Sequence, residues 1–189
     1  MKRSILLVLT LVLLLVLAPL ALAAGTADEV QPPQQASFLF DDLVYSVELN
    51  EQGEQVIFCE DESKTALPDG VSYDLDSNTL TFNGANLETF HTLFQLGPDD
   101  YWLPTSDLKI VLKGQNIFTA YQDAEIDPNG TYHCISFGGG VNVTMTGRGS
   151  LTATTQASND GNAILLCEGS SLTIQDQAVV TAQINGTYM

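Results

Sequence analysis

The sequence predicts an all-β chain wound as a right-handed parallel β-helix, and three observations predict it. An apolar–Thr–Ala step returns at Phe118-Thr119-Ala120, Leu151-Thr152-Ala153 and Val180-Thr181-Ala182, spaced 33 and then 29 residues apart. Within each copy, apolar residues alternate with Thr, Ser, Lys or Asn, a period of two that belongs to strands. Turns such as Gly138-Gly139-Gly140 and Gly147-Arg148-Gly149 break the copies into short runs. Nothing after Asn78 carries a helical period. A unit of about 30 residues holding three short strands stacks into a solenoid, because one unit cannot bury its apolar face alone. The alternative is an antiparallel sandwich, which needs no periodic spacing.

Residues 1–24 read as a secretory signal peptide. Lys2 and Arg3 precede an apolar run from Ile5 to Ala18, followed by Pro19 and the small-residue site Ala21-Leu22-Ala23. The mature chain is expected outside the cell, secreted or attached at its surface, with the membrane touched only through this segment if it stays uncleaved. Residues 25–36 read as a Pro/Gln-rich linker. Residues 37–70 are expected to form an N-terminal β-hairpin or cap, with LVYSVELNEQGEQVIF giving two strands around a Glu-Gln-Gly-Glu turn. Residues 71–189 are the repeat domain, of three to four coils.

One unit of that domain holds strands at Cys134 to Phe137, Val141 to Met145 and Leu151 to Thr155. Like residues of successive coils would lie about 4.8 Å apart. The expected ladders are Leu80/Ile110/Val143/Leu172, Phe82/Leu112/Met145/Ile174, Phe118/Leu151/Val180 and Ala120/Ala153/Ala182, the last as a corner with room for a methyl group. Ile135 and Phe137 match Ile164 and Leu166 at an offset of 29. The turns align as Asn83-Gly84, Lys113-Gly114, Thr146-Gly147 and Gln175-Asp176. The run Asp74, Asp76, Asn78 reads as an Asx turn before a strand.

The formal net charge is −17, and removal of the leader leaves Lys64, Lys109, Lys113 and Arg148 against 23 acidic residues. Such a surface repels phosphate backbones and excludes nucleic acid as a partner, while it suits divalent cations. Cys59, Cys134 and Cys167 are too few for a disulfide framework, and the apolar neighbours of Cys134 and Cys167 predict buried thiols.

The run VSYDLDSNTLTFNGANL, then LKIVLKGQNIFTA, then VNVTMTGRGSLTAT resembles the bacterial extracellular carbohydrate-binding domain family of right-handed parallel β-helix proteins, over about Val71 to Gln183. The resemblance implies polysaccharide binding without catalysis, often with calcium. β-Helical adhesins share the T-G-x-G-x-L-T step, so a surface protein that binds protein partners, or its own kind end to end, is the alternative. The chain stops at Asn185-Gly186-Thr187-Tyr188-Met189, just past a strand, where a solenoid wants a cap. An uncapped C-terminal end and an incomplete sequence are the expectation.

Sugars are held by aromatic faces and by carboxylates or amides, and three loops supply them. The first, from about Thr89 to Ser106, carries Tyr101 and Trp102. The second carries Tyr121, Tyr132 and His133. The third carries Asn159 and Asp160. Tyr101, Trp102, Tyr121 and Tyr132 are the candidate carbohydrate-binding residues, and His133 reads as a satisfied strand-edge residue. Asp123, Glu125, Asp127 and Asn129 alternate oxygen ligands beside a glycine and form a candidate Ca²⁺ loop. The match to an EF-hand is incomplete, with Pro128 at the sixth position and Cys134 at the twelfth. No catalytic residue is assigned. A polysaccharide lyase would want Arg or Lys beside bound calcium, and Arg148 sits in a turn where Asp176 is its expected surface partner, worth at most about 1 kcal/mol. No nucleophile elbow, zinc spacing or phosphate loop is present.

Overall fold

The computed structural model describes residues 35–97, 103, 105–121, 132–156 and 161–186; of these, 61% lie in β-strands and none in a helix. The chain opens with β1 (Gln35–Phe40), β2 (Leu43–Leu49) and β3 (Gln55–Cys59), an antiparallel meander. The turn expected between β2 and β3 is present. Asn50 Oδ1 accepts from the amides of Gln52 and Glu54 at 3.0 and 2.8 Å, and Gly53 takes φ +76°. β1 has no counterpart in the sequence reading, and its first two residues fall in the expected linker. Ser37 and Leu39 are covered as fully as the core-facing Phe38 and Phe40, so the strand lacks the polar alternation that marks a half-buried one. β1 also pairs antiparallel with β7 (Phe94–Leu96), so the meander extends a sheet of the main body.

β4 (Val71–Asp74) and β5 (Thr79–Asn83) pair antiparallel across the Asx turn, with Asp74 Oδ1 accepting from the Asp76 amide at 3.1 Å. The remaining strands are β6 (Asn86–Thr89), β8 (Asp107–Lys113), β9 (Gln115–Tyr121), β10 (His133–Phe137), β11 (Asn142–Gly147), β12 (Ser150–Gln156), β13 (Asn162–Leu166), β14 (Ser171–Ile174) and β15 (Val179–Ile184). Three sheets result, in the orders β13-β10-β7-β1-β2-β3, β14-β11-β8-β5-β4 and β15-β12-β9-β6. From β5 to β15 the chain visits the second, third and first sheet in turn. Each strand pairs in parallel with the strand three places further on. No sheet closes on itself.

Two of the three register steps agree with the sequence spacing. Leu80 pairs with Ile110 and Phe82 with Leu112; Ile135 pairs with Ile164, Val143 with Leu172, Met145 with Ile174 and Ala153 with Ala182. The middle step does not. Ile110 lies opposite Met145 and Leu108 opposite Val143, while Phe118 lies opposite Ala153, Ala120 opposite Thr155 and Asn116 opposite Leu151. The expected ladders through Ile110/Val143, Leu112/Met145, Phe118/Leu151 and Ala120/Ala153 are therefore corrected by two residues. A slip of two keeps inward residues inward, so alternation is blind to it.

The cause of the slip is backbone contact. Gly147 lies opposite Leu112, and Gly149 and Ser150 donate to the carbonyls of Leu112 and Gly114 at 3.0 and 2.8 Å. A Cβ on Gly147 would stand 2.4 Å from the Leu112 oxygen, and one on Gly149 would stand 2.6 Å from the Gly114 oxygen. Gly149, not Gly147, is therefore the residue over Gly114. The alanine column also needs another account. Ala153 is small because the ring of Phe118 stands beside it in the ladder, and large against small fills the interior.

The core is a chain of aromatic rings that ties the three sheets together. Phe94 stacks on Phe40 at 4.8 Å and meets Phe82 and Phe137 edge-on at 6.0 Å each; Phe82 meets Phe118 at 4.9 Å. The fully buried Asn116 stands among these apolar neighbours with every polar atom used. Its Oδ1 accepts from the Ala85 amide at 2.9 Å, and its Nδ2 donates to the Lys113 and Ser150 carbonyls at 3.3 and 2.9 Å, linking the chain at the starts of β6, β9 and β12. Cys134 is buried, and burial pushes its thiol up to about 12, whereas Cys167 is only half-buried; all three cysteines are free.

Gly147→Ala is expected to cost at least about 2 kcal/mol, since the methyl group meets backbone and φ is +108°. Gly84→Ala, at φ +70° with open space around it, should cost about 1 kcal/mol. Urea denaturation of the two variants separates them, and equal midpoints would contradict the contact as the origin of the register.

Candidate functional site

The chain crosses from the third sheet to the first after β6 and again after β9. The first crossing, 90–93, joins β6 to β7. The second begins at Tyr121, the last residue of β9, and ends at Tyr132, just before β10. The ring centroids of Phe90 and Tyr121 are 5.5 Å apart with planes tilted by 36°, and those of His91 and Tyr132 are 5.7 Å apart and nearly perpendicular. Because Phe90 and His91 are neighbours in the chain, all four rings share the corner. Phe90 is 54% exposed, so its ring face is open to a ligand.

The hairpin turn between β1 and β2 reaches the same corner. Asp41 and Asp42 both adopt positive φ, 52° and 56°, the geometry of a two-residue turn matched to strand twist. The Asp41 amide donates to the Leu93 carbonyl at 3.0 Å, and the Thr89 hydroxyl donates to the Asp41 carboxylate. The His91 amide donates to Thr89 Oγ1 at 3.1 Å, which fixes the start of the crossing. His91 Nδ1 lies 3.0 Å from Asp42 Oδ2. Both side chains are about half exposed, so the pair orients the imidazole and stabilises the fold by less than about 1 kcal/mol. Burial raises the Asp42 carboxyl above its ordinary value, His91 opposes that rise, and Asp41 and Glu60 add to it.

The arrangement offers apolar ring faces beside two carboxylates, the combination that takes a ligand with one C–H surface and a fringe of hydroxyls. The sequence reading placed Tyr121 and Tyr132 here, and the structure brings both to the corner. It missed Phe90, His91, Asp41 and Asp42. A signal for Phe90 existed: the offset of 31 that sets Leu87 opposite Phe118 also sets Phe90 against Tyr121. Tyr101, Trp102, Asn159 and Asp160 lie outside the described residues, as do Asp123, Glu125, Asp127 and Asn129 of the candidate calcium loop. Among the described residues no three His, Cys, Asp or Glu side chains converge as a metal site. Arg148 and Asp176 do not form the expected ion pair; Asp176, at φ 60°, instead accepts from the Thr146 hydroxyl.

His133 has the structural part expected of it. Its Nδ1 accepts from the Asn162 amide at 3.3 Å, which keeps that nitrogen unprotonated. Comparison with protein-family models, with curated proteins and with solved structures returns no match for the chain.

Burial holds the His133 imidazole below its ordinary value. As pH falls, the unfolded chain takes up this proton before the folded one does. Stability is therefore fully present above about pH 6.5 and declines as pH falls toward the lower folded value. The thermal midpoint should drop between about pH 7.5 and 5.5, and the drop should shrink in His133→Gln. An unchanged slope in the variant would show that other groups carry the effect.

Proposed function

We propose that the chain is a non-catalytic carbohydrate-binding protein of the cell exterior, built as a right-handed parallel β-helix of three to four coils. The cyclic order of the strands through three parallel sheets supports the helix, since a chain that returns to the same sheet every third strand advances by one strand spacing per circuit. The resemblance of residues 71–183 to carbohydrate-binding β-helices points the same way.

The single observation that carries the binding reading is the aromatic corner, where Phe90 meets Tyr121 and His91 meets Tyr132 beside Asp42. Phe90 and His91 lie on one crossing and Tyr121 and Tyr132 bound the next, so an extended polysaccharide laid across the two would meet rings of both. Carboxylates at the corner and a net charge of −17 favour a neutral glycan. An acidic glycan would need a cation between it and the protein, and Asp123, Glu125, Asp127 and Asn129, which lie in sequence between the two corner tyrosines, are the residues we assign to Ca²⁺. The secretory leader agrees with a polysaccharide partner met outside the cell. A second reading, an adhesive protein that pairs with protein partners or end to end with itself, rests on the T-G-x-G-x-L-T step at Thr146-Gly147-Arg148-Gly149-Ser150-Leu151-Thr152, which β-helical adhesins share.

A glycan array probed with and without calcium tests the reading, with hits measured by calorimetry. Tyr121→Ala combined with Phe90→Ala should weaken binding at least about tenfold, roughly 1.4 kcal/mol, in a variant whose circular dichroism is unchanged. Absence of any glycan signal in either condition would favour the adhesive reading.

A further inference from the structure

A concave site apart from the aromatic rings is lined in part by Asp41. Among the described residues β6 is the outermost strand of its sheet and pairs with β9 alone. The Ile117 amide donates to the Ala85 carbonyl at 2.8 Å. In a parallel ladder, alternate residues direct both backbone groups to the same neighbour. Residues 85, 87 and 89 therefore face β9, while Asn86 and Glu88 turn their N–H and C=O groups to the free edge. Along that edge runs a groove of about 570 Å³. Leu67 and Leu87 contribute to its apolar floor, and Asp41, Asp69 and Glu88 stand on its rim against the one ammonium of Lys64.

We infer that this groove takes an extended segment of another protein, added as a strand to β6 and carrying basic and apolar side chains in alternation. Two observations independent of each other point to that occupant. Backbone donors and acceptors two residues apart match the repeat of an extended main chain, the basis of strand addition at sheet edges. The rim holds three carboxylates to one cation, so Lys or Arg side chains of the incoming strand find partners, whereas a second copy of this acidic chain is repelled. β6 is four residues long, about 13 Å at about 3.3 Å per residue, so three or four residues of the segment are engaged. The apolar floor receives the side chains that alternate with the basic ones. This site does not depend on the glycan reading, since its residues, Asp41 apart, are not those of the aromatic corner.

The probe is a fluorescein-labelled peptide of sequence Lys-Val-Lys-Val-Lys, followed by anisotropy against the whole chain at low and physiological salt. Saturable binding is expected. The Glu-Val-Glu-Val-Glu counterpart should bind at least tenfold more weakly. Two isomers, N-methylated on the valines or on the lysines, report strand pairing without altering the protein, and one of them should lose at least tenfold. Glu88→Gln with Asp69→Asn should weaken the probe about tenfold, and Asn86→Pro, which removes an edge-facing N–H and no ladder bond, should do the same in a variant whose circular dichroism is unchanged. No saturable binding would overturn the inference, as would full binding of both N-methylated isomers, which indicates charge adsorption. Loss confined to Tyr121→Ala would overturn it too, by moving the peptide to the aromatic corner.

Discussion

The backbone contact of Gly147 and Gly149 with Leu112 and Gly114 sets the geometry of everything that follows it in the chain. Side chains alone leave the register of the second and third sheets open to steps of two, because each such step keeps the dry face dry. Only glycine fits at 147 and 149 against the backbone of Leu112 and Gly114, and the two fit together at this register. With that position taken, Ile110 lies opposite Met145, Phe118 beside Ala153, and the outward polar residues Asp107, Asn142 and Ser171 form a hydrogen-bonded row at 3.0 and 2.8 Å. The same register decides where β12 meets β9 and so anchors Tyr121, which lies opposite Gln156, at the corner.

The N-terminal meander is the second organising element, because it turns one end of the first sheet from parallel to antiparallel pairing. Phe38 and Phe40 of β1 bring two rings to Phe94 and Tyr73, so the end of the core is filled by aromatic volume. The meander's tight turn carries Asp41 and Asp42 to the start of the β6–β7 crossing. There Asp41 binds Thr89 and Leu93 while Asp42 pairs with His91. A device that closes the core therefore also brings two carboxylates to a surface made by later residues.

Much of this was readable from residues 71 onward, where alternation and Gly-bearing turns recur. The assignment of Ile135 to Ile164 and of Val143 to Leu172 rests on an offset of 29 that the chain keeps without insertion. The step of 35 across the Tyr121–Tyr132 segment was not readable, since Lys113-Gly114 and Thr146-Gly147 look alike as letters and differ only in which backbone each must touch. β1 escaped notice because burial on both faces erases the polar alternation that identifies a strand. Of the corner, Tyr121 and Tyr132 stood out as aromatics in a polar loop. Phe90 and His91 did not, because their meaning comes from the column they share with the next circuit. Asp41 and Asp42 carry no local sign of their role; only the pairing of β1 with β7 places them.

The Asp41–Asp42 turn divides the surface into two environments with different electrostatics. On the Asp42 side, ring faces dominate and the carboxylate is already engaged by His91, so the attachment we propose there would draw on contact area and change little with ionic strength. On the Asp41 side, Asp69 and Glu88 are exposed on the rim of the groove, and attraction for a cationic strand falls as salt screens it. Two adjacent residues held at positive φ thus separate the surface we propose for neutral, hydroxyl-rich chains from the edge we propose for a strand with basic side chains. Because Asp41 is tied to Thr89 and Leu93 through side chain and backbone together, neither surface can shift without disturbing the entry to β7, whose Phe94 stands at the centre of the core.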